Sequence, residues 1–113
     1  MKKSYDYERF LEAKGVRLFE PLGIQEIALA REDARVAIEL LRKAAIPILD
    51  DDVYLQRSAV LEHSFTSWST NFLPNETNDS YLTRSLTDAE KFIRELDEVS
   101  GGTPLFVFVI RDQ

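Results

Sequence analysis

Six consecutive apolar residues, Leu105-Phe106-Val107-Phe108-Val109-Ile110, constrain the fold more than any other stretch of the chain. Successive side chains of a strand point to opposite faces of its sheet. An unbroken apolar run of β-forming residues therefore needs cover on both sides, which makes it a central strand. It is far too short to span a bilayer. With 113 residues, the chain can build one core and has no room for a second.

The cover for that strand is readable from periodicity. Arg31 to Ala45 is the clearest helix: Ala34, Ala37, Ile38, Leu41 and Ala45 recur at spacings of three and four. Glu32 and Asp33 sit in its first turn and Arg42 and Lys43 in its last, which suits the helix dipole at both ends. Pro47 stops it, and Ile46 to Leu49 reads as an incoming buried strand. Ser4 to Lys14 reads as a shorter helix, with Ser4 as N-cap, Tyr7, Phe10 and Leu11 on one face, and Gly15 as the stop. A further helix is expected over Leu86 to Val99, with Leu86, Ala89, Phe92, Ile93, Leu96 and Val99 inward. Thr87-Asp88-Ala89-Glu90 offers it a capping box, Ser85 competes as N-cap, and Gly101-Gly102 ends it.

Between these elements the signals are shorter. Val53-Tyr54-Leu55 and Ala59 to Phe65 form a hairpin about the polar break Gln56-Arg57-Ser58. Leu18 to Gly23 is a turn-rich connection, and Gln25 to Ala30 fits either a short extended piece or a lead-in to the next helix. Thr66 to Ser80 is polar apart from Trp68, Phe72 and Leu73, contains Pro74, and reads as the main exposed loop. The sum is an α+β domain in which a sheet of three or four strands packs with two or three helices.

Composition decides which chemistries are open. Apolar residues make up 44% and charged residues 30%, the balance of an ordinary globular chain. The absence of Cys removes disulfides, thiolate zinc sites and cysteine nucleophiles together. Lys2 and Lys3 open the chain like a basic leader, but no apolar stretch follows, so no signal peptide is expected and the expected compartment is the cytoplasm. The net charge of −6 is uneven: residues 1–45 carry nine Lys/Arg against eight Asp/Glu, and residues 46–113 carry five against twelve. Such a chain repels phosphate backbones and anionic lipid, which argues against nucleic acid or membrane as partner and for a basic protein. Mild acidity also serves solubility alone.

Asp50-Asp51-Asp52, placed where a strand ends, is the most conspicuous polar feature. It could offer oxygens to a hard cation or negative charge to a partner, and it equally suits a solvated turn. The calcium-loop spacing is absent, and adjacent side chains of an extended segment diverge, so no metal site is expected. His63 is the only histidine. It excludes a multi-histidine metal site and, without a nucleophile-elbow motif, no catalytic triad is assigned. The four glycines fall in no phosphate-binding pattern, so no cofactor is expected. Trp68, in a Ser/Thr context after a strand, either plugs the core edge or anchors an interface. Tyr54 and Tyr81 present the same choice.

Several of these segments also carry a resemblance. Gly23-Ile24-Gln25-Glu26-Ile27-Ala28-Leu29 precedes the amphipathic helix, and Ile46-Pro47-Ile48-Leu49-Asp50-Asp51-Asp52-Val53-Tyr54 follows it. Trp68, then Ser85 before Ala89 and Ile93, then Phe106 to Val109 complete the order. In this the chain resembles the immunity proteins of bacterial polymorphic toxin systems, immunity protein family forty. The resemblance departs at one point, where the family-like turn has two glycines and this chain has Asp50 and Asp51. It implies a non-enzymatic protein that binds a cognate toxin domain and blocks its active site or substrate groove. An acidic surface would complement a toxin with a basic groove, such as a nuclease. On that reading Asp50, Asp51, Asp52, Glu62, Glu76 and Asp79 form a negative rim, with Tyr54 and Trp68 as anchors. The competing readings are an interaction or regulatory module with a non-toxin partner, and a small metal-dependent hydrolase using the Asp triplet and His63.

Overall fold

A computed structural model describes residues 4–18, 23, 26–58, 60–96 and 102–111, with Phe65 described by its backbone. Its elements are α1 (Tyr5–Lys14), β1 (Val16–Arg17), β2 (Ile27–Ala30), α2 (Arg31–Ala44), β3 (Ile48–Arg57), β4 (Val60–Ser69), α3 (Asn78–Glu95) and β5 (Thr103–Ile110). The strands form a five-stranded sheet in the order β1-β2-β5-β3-β4, with every neighbouring pair antiparallel.

The apolar run lies where its composition requires, between β2 and β3. Phe106 and Phe108 enter a core cluster with residues of all three helices, while Leu105 and Val107 enter a second cluster on the opposite face. The larger cluster takes Tyr7 from α1, Ala34, Ala37, Ile38 and Leu41 from α2, and Leu86, Ala89 and Ile93 from α3. The smaller one contains Leu18, Ala28 and Tyr54 and no helical residue. All the described helices therefore cover one face of the sheet, and no described helix covers the other, which is the helix-free face among the described residues.

The sheet has more strands than the expected three or four. The segment from Gln25, open in the sequence, resolves into β2, and the two-residue β1 pairs with it at Val16–Ala28 and Arg17–Ile27. The expected turn at Asp50-Asp51-Asp52 is absent. β3 runs straight through the three aspartates, pairing them with β4 on one side and β5 on the other. Asp has low strand propensity, but pairing on both edges outweighs a preference worth only about 1 kcal/mol per residue. The expected loop over 66–80 is also shortened at both ends, since β4 extends to Ser69 and α3 begins at Asn78.

That early start has a clear cause. Thr77, not Ser85 or Thr87, is the N-cap of α3, and its hydroxyl accepts from the Ser80 N–H at 3.1 Å. Ser85 is instead buried inside the helix, accepting from the Ile48 N–H at 3.3 Å and donating to the Leu82 carbonyl at 3.1 Å. A polar residue in the apolar stripe is satisfied by tying α3 to the start of β3. Before the helix, Arg84 grips the connection: it donates to both Glu76 carboxylate oxygens (2.7 and 2.8 Å), to the Thr70 hydroxyl (3.0 Å) and to the Asn71 carbonyl (2.7 Å). At the far end, the described helix stops at Glu95, and the expected inward Val99 and the Gly101 stop lie outside the described residues. Arg31, opening α2, donates to the carbonyls of Ile93, Arg94 and Leu96 and so supplies partners to groups that a helix C-terminus leaves unpaired.

α1 ends at Gly15 and α2 at Ala45, as the sequence indicates, but the two ends differ physically. Gly15 has an ordinary extended backbone; it is required for space, since an added Cβ would lie 2.1 Å from Ile27 Cγ2 and 2.6 Å from the Leu11 carbonyl oxygen. Ala45 sits in the left-handed region at φ 58°, its N–H bonded back to α2, with Ile46 N–H donating to the Leu41 carbonyl at 3.0 Å. A glycine thus stands where room is short and an alanine where φ is positive. Gly15→Ala is expected to destabilise by about 1–3 kcal/mol through overpacking. Ala45→Gly is expected to stabilise by about 1 kcal/mol by removing the left-handed Cβ penalty. Urea unfolding of both variants checks the pair; a Gly15→Ala protein as stable as the parent would refute the close-approach argument.

Candidate functional site

The facing of the three aspartates is set by one irregularity. Ile48 pairs with Ile110 and Asp50 with Val109, so β3 carries one extra residue, Leu49, at this point. Without it, strict alternation would place Asp50 and Asp52 on the side of Ile48, in the helix-covered core, and Asp51 on the other face. With it, Asp51 and Val53 turn inward, and Asp50, Asp52 and Tyr54 turn to the helix-free face. The ladder confirms the facing: Asp51 lies opposite Trp68 and Phe108, while Asp52 lies opposite Ser67 and Val107.

Asp51 is fully buried, and neither carboxylate oxygen has a hydrogen-bond partner. Burial, followed by the neighbouring Asp52 and Asp50 carboxylates, pushes its pKa well above the usual carboxylate range. Tyr7 of α1 is raised above its ordinary value too, mainly by burial and then by the Asp51 charge. A buried group whose ionised form is penalised this way acts on the packing of the core, not on a solvent-facing rim.

The helix-free face holds the other carboxylates. Asp50 and Asp52 are half-buried there, and Glu26, just before β2, is close enough for both to act on it. Burial, then Asp52 and Asp50, raises Glu26, while His63 draws it down. Asp50 is raised by burial and by Asp52, against a lowering backbone hydrogen bond from Asp51. Tyr54 forms part of the floor at 3% exposure, its ring edge-on to His63 with centroids 4.8 Å apart. Burial, Glu26 and Asp52 raise its phenol. Like charges held in partly desolvated positions disfavour the ionised form, and a cationic partner relieves this. Among the described residues no group of three His, Asp or Glu side chains has the geometry to hold a metal ion.

The other sequence candidates lie elsewhere. Glu62 is ion-paired with Arg57 at 3.0 Å on the β3–β4 hairpin. Glu76 is taken up by Arg84 and by the Leu73 N–H at 2.9 Å, and these hold its pKa down to about 2. Asp79 is exposed in the first turn of α3. Trp68 is half-buried on the helix side, its ring stacked on Phe92 with centroids 6.5 Å apart, and it borders a groove of about 420 Å³ with Lys91, Phe92 and Leu96. The structure thus brings Asp50, Asp52 and Tyr54 together on one face and separates them from Asp51, Glu62, Trp68, Glu76 and Asp79. Glu26 joins that face from more than twenty positions away in the sequence; the family-like segment Gly23 to Leu29 contains it, but nothing local assigns it to the site.

A family model described as immunity protein 40 matches residues 18–110, which take in all five strands except β1, together with α2 and α3. The chain belongs to that family of immunity proteins. Membership implies an immunity protein for a polymorphic toxin, with a cognate toxin protein as its partner and a role in binding, not catalysis. No curated protein and no solved structure shows a significant match. No helix of the described residues is long and apolar enough to cross a membrane.

The pH dependence of stability has a definite sign. A carboxylate whose folded pKa is raised contributes stability that is fully present below its unfolded pKa and is lost as pH rises through the folded value. Asp51, Asp50 and Glu26 all act in this direction, so stability is expected to fall as pH rises from the ordinary carboxylate range. Glu76 acts oppositely, its contribution being lost only as pH falls toward about 2. Asp51→Asn should flatten the decline, and Asp51→Val should stabilise at neutral pH by about 1–3 kcal/mol, the cost of an unsatisfied buried polar group. Denaturation series at several pH values read both; an unchanged slope in Asp51→Asn would show that Asp51 is not the group responsible.

Proposed function

We propose that this chain protects its producer, in the cytoplasm, by laying the helix-free face of its sheet over a basic surface of its cognate toxin domain and so occluding the toxin's active site or substrate groove. The observation that carries this reading is the grouping of Glu26, Asp50 and Asp52 on one face with no Lys or Arg ion-paired to them among the described residues. Glu26 and Asp50, whose ionised forms already carry a desolvation and like-charge penalty in the free protein, have less of that cost still to meet on binding a lysine or arginine. The face also lies at one side of a rigid sheet, so complementary charge can be presented without reordering the backbone.

A toxin that handles nucleic acid needs a basic groove for phosphates, and a nuclease is the toxin class best matched by this surface. Asp50 and Asp52 are the proposed contacts from the aspartate triplet, with Glu26 beside them and Tyr54 and His63 beneath. Glu62 and Glu76 have cationic partners within the chain, and Asp51 is buried on the helix side, out of a partner's reach.

The test begins with a tagged chain recovered from its native host and mass spectrometry of what accompanies it. With the toxin domain in hand, the variant Glu26→Gln/Asp50→Asn/Asp52→Asn should associate about tenfold or more slowly at low salt and approach the parent rate as salt rises. Glu39→Gln, on the exposed side of α2, serves as the comparator. Parent-like association by the triple variant at low salt would exclude this face as the steering surface.

A further inference from the structure

Arg111, immediately after β5, has neighbours that leave its charge unspent. Its guanidinium carbon lies 5.1 Å from the centroid of the Phe72 ring and 5.5 Å from that of Tyr81, and the two rings stack at 4.1 Å. Its backbone N–H donates to the Pro47 carbonyl at 3.2 Å, which fixes the root of the side chain. Two clefts, of about 200 and 340 Å³, are both bordered by Arg111, Phe72 and Tyr81. Asp79 borders the first and Asp50 the second, yet the guanidinium is ion-paired with neither and has no acceptor among the described residues. Arg84, which also lies over Tyr81, is the contrast: its donors are spent on Glu76, Thr70 and Asn71.

An arginine resting on two aromatic rings has already lost much of its rotamer freedom, and its planar fork matches a carboxylate in two parallel hydrogen bonds. Phe72 and Val109, at 38% and 40% exposure, put large apolar groups beside it. An arginine with aromatic and aliphatic neighbours is the composition of an interface hot spot. The patch is continuous with the acidic face, because Asp50 and Val109 border the larger cleft and also belong to that face.

We propose that Arg111, seated on Phe72 and Tyr81, is a socket for an Asp or Glu side chain of the toxin domain, so that the interface reads both signs of charge. This rests on the toxin-binding reading above. Charge selects the occupant. Asp50 and Asp79 border the clefts, so a phosphate dianion is repelled about twice as strongly as a single carboxylate, which the guanidinium can hold in two hydrogen bonds; basic residues of the same surface that meet Asp50 strengthen the pairing further. The same pairing fixes orientation: a uniformly basic toxin surface would leave Arg111 facing like charge.

Two measurements test it. The first needs no toxin: N-acetyl-glutamate amide is titrated into the ¹⁵N-labelled chain while the Arg111 Nε–H and the Phe72 and Tyr81 ring signals are followed. Saturable shifts are expected, with none from the glutamine analogue; no response, or a stronger one to inorganic phosphate, overturns the socket. The second measures the toxin domain recovered with the parent chain against Arg111→Met and Arg111→Lys, after thermal unfolding shows both variants folded. Arg111→Met should weaken binding about tenfold or more, the level of a hot-spot loss, with Arg111→Lys between it and the parent. Parent-like affinity of Arg111→Met refutes the proposal. If no toxin accompanies the parent chain although the toxin is expressed, the proposed toxin-binding face falls, and the amide titration alone decides whether the socket exists.

Discussion

A single extra residue at Leu49 reverses the facing of everything that follows it in β3. Because strand side chains alternate with period two, one inserted position exchanges core and surface for the whole segment. Here the exchange brings Val53 into the helix-covered core beside Phe106 and sends Asp50, Asp52 and Tyr54 to the other face. Had alternation continued unbroken from Ile48, two carboxylates would have entered the core in place of one. The irregularity halves the burial of charge and at the same time assembles the acidic face.

The one carboxylate that does enter, Asp51, sits between Trp68 and Phe108 with Tyr7 of α1 near it. It has no hydrogen-bond partner, so it opposes stability, and the charges of Asp50 and Asp52 make it worse. Stability must come from elsewhere: from the aromatic and aliphatic packing of three helices on one face, and from polar ties such as Arg31 to the end of α3 and Ser85 to Ile48. Electrostatic strain near a surface proposed for binding is consistent with a protein that gains its full stability only with a cationic partner in place.

Family membership implies a toxin protein as partner, and the surface reading narrows what that partner must look like. A face with three carboxylates, none ion-paired with Lys or Arg among the described residues, favours base-rich surfaces and speeds encounter, but charge of one sign discriminates poorly among basic proteins. An arginine of opposite sign at the border supplies discrimination, because the wrong partner then meets repulsion as well as losing attraction. Of the two adjacent aspartates, Asp50 adds charge to the face and Asp51 adds it to the core.

The sequence by itself determined the elements with strong periodicity. α1 and α2, with their ends at Gly15 and Ala45, the β3–β4 hairpin about Arg57 and Ser58, and the central place of β5 all follow from local spacing and stop signals. The acidic character of the second half and the family resemblance were legible as well. What the sequence hid was non-local. Asp50-Asp51-Asp52 looked like a turn because Asp has low strand propensity, and only pairing with β4 and β5 on both sides overrides it. The first two turns of α3 looked like loop because Ser, Thr, Asn and Asp dominate them; Arg84, Tyr81 and Ser85 secure them through contacts with distant residues. Nothing local to Glu26 or Arg111 places either residue beside the acidic face. Composition and period fix which segments are helix or strand, but register and the packing of distant segments fix which side of the sheet a charge faces, and so which charges meet.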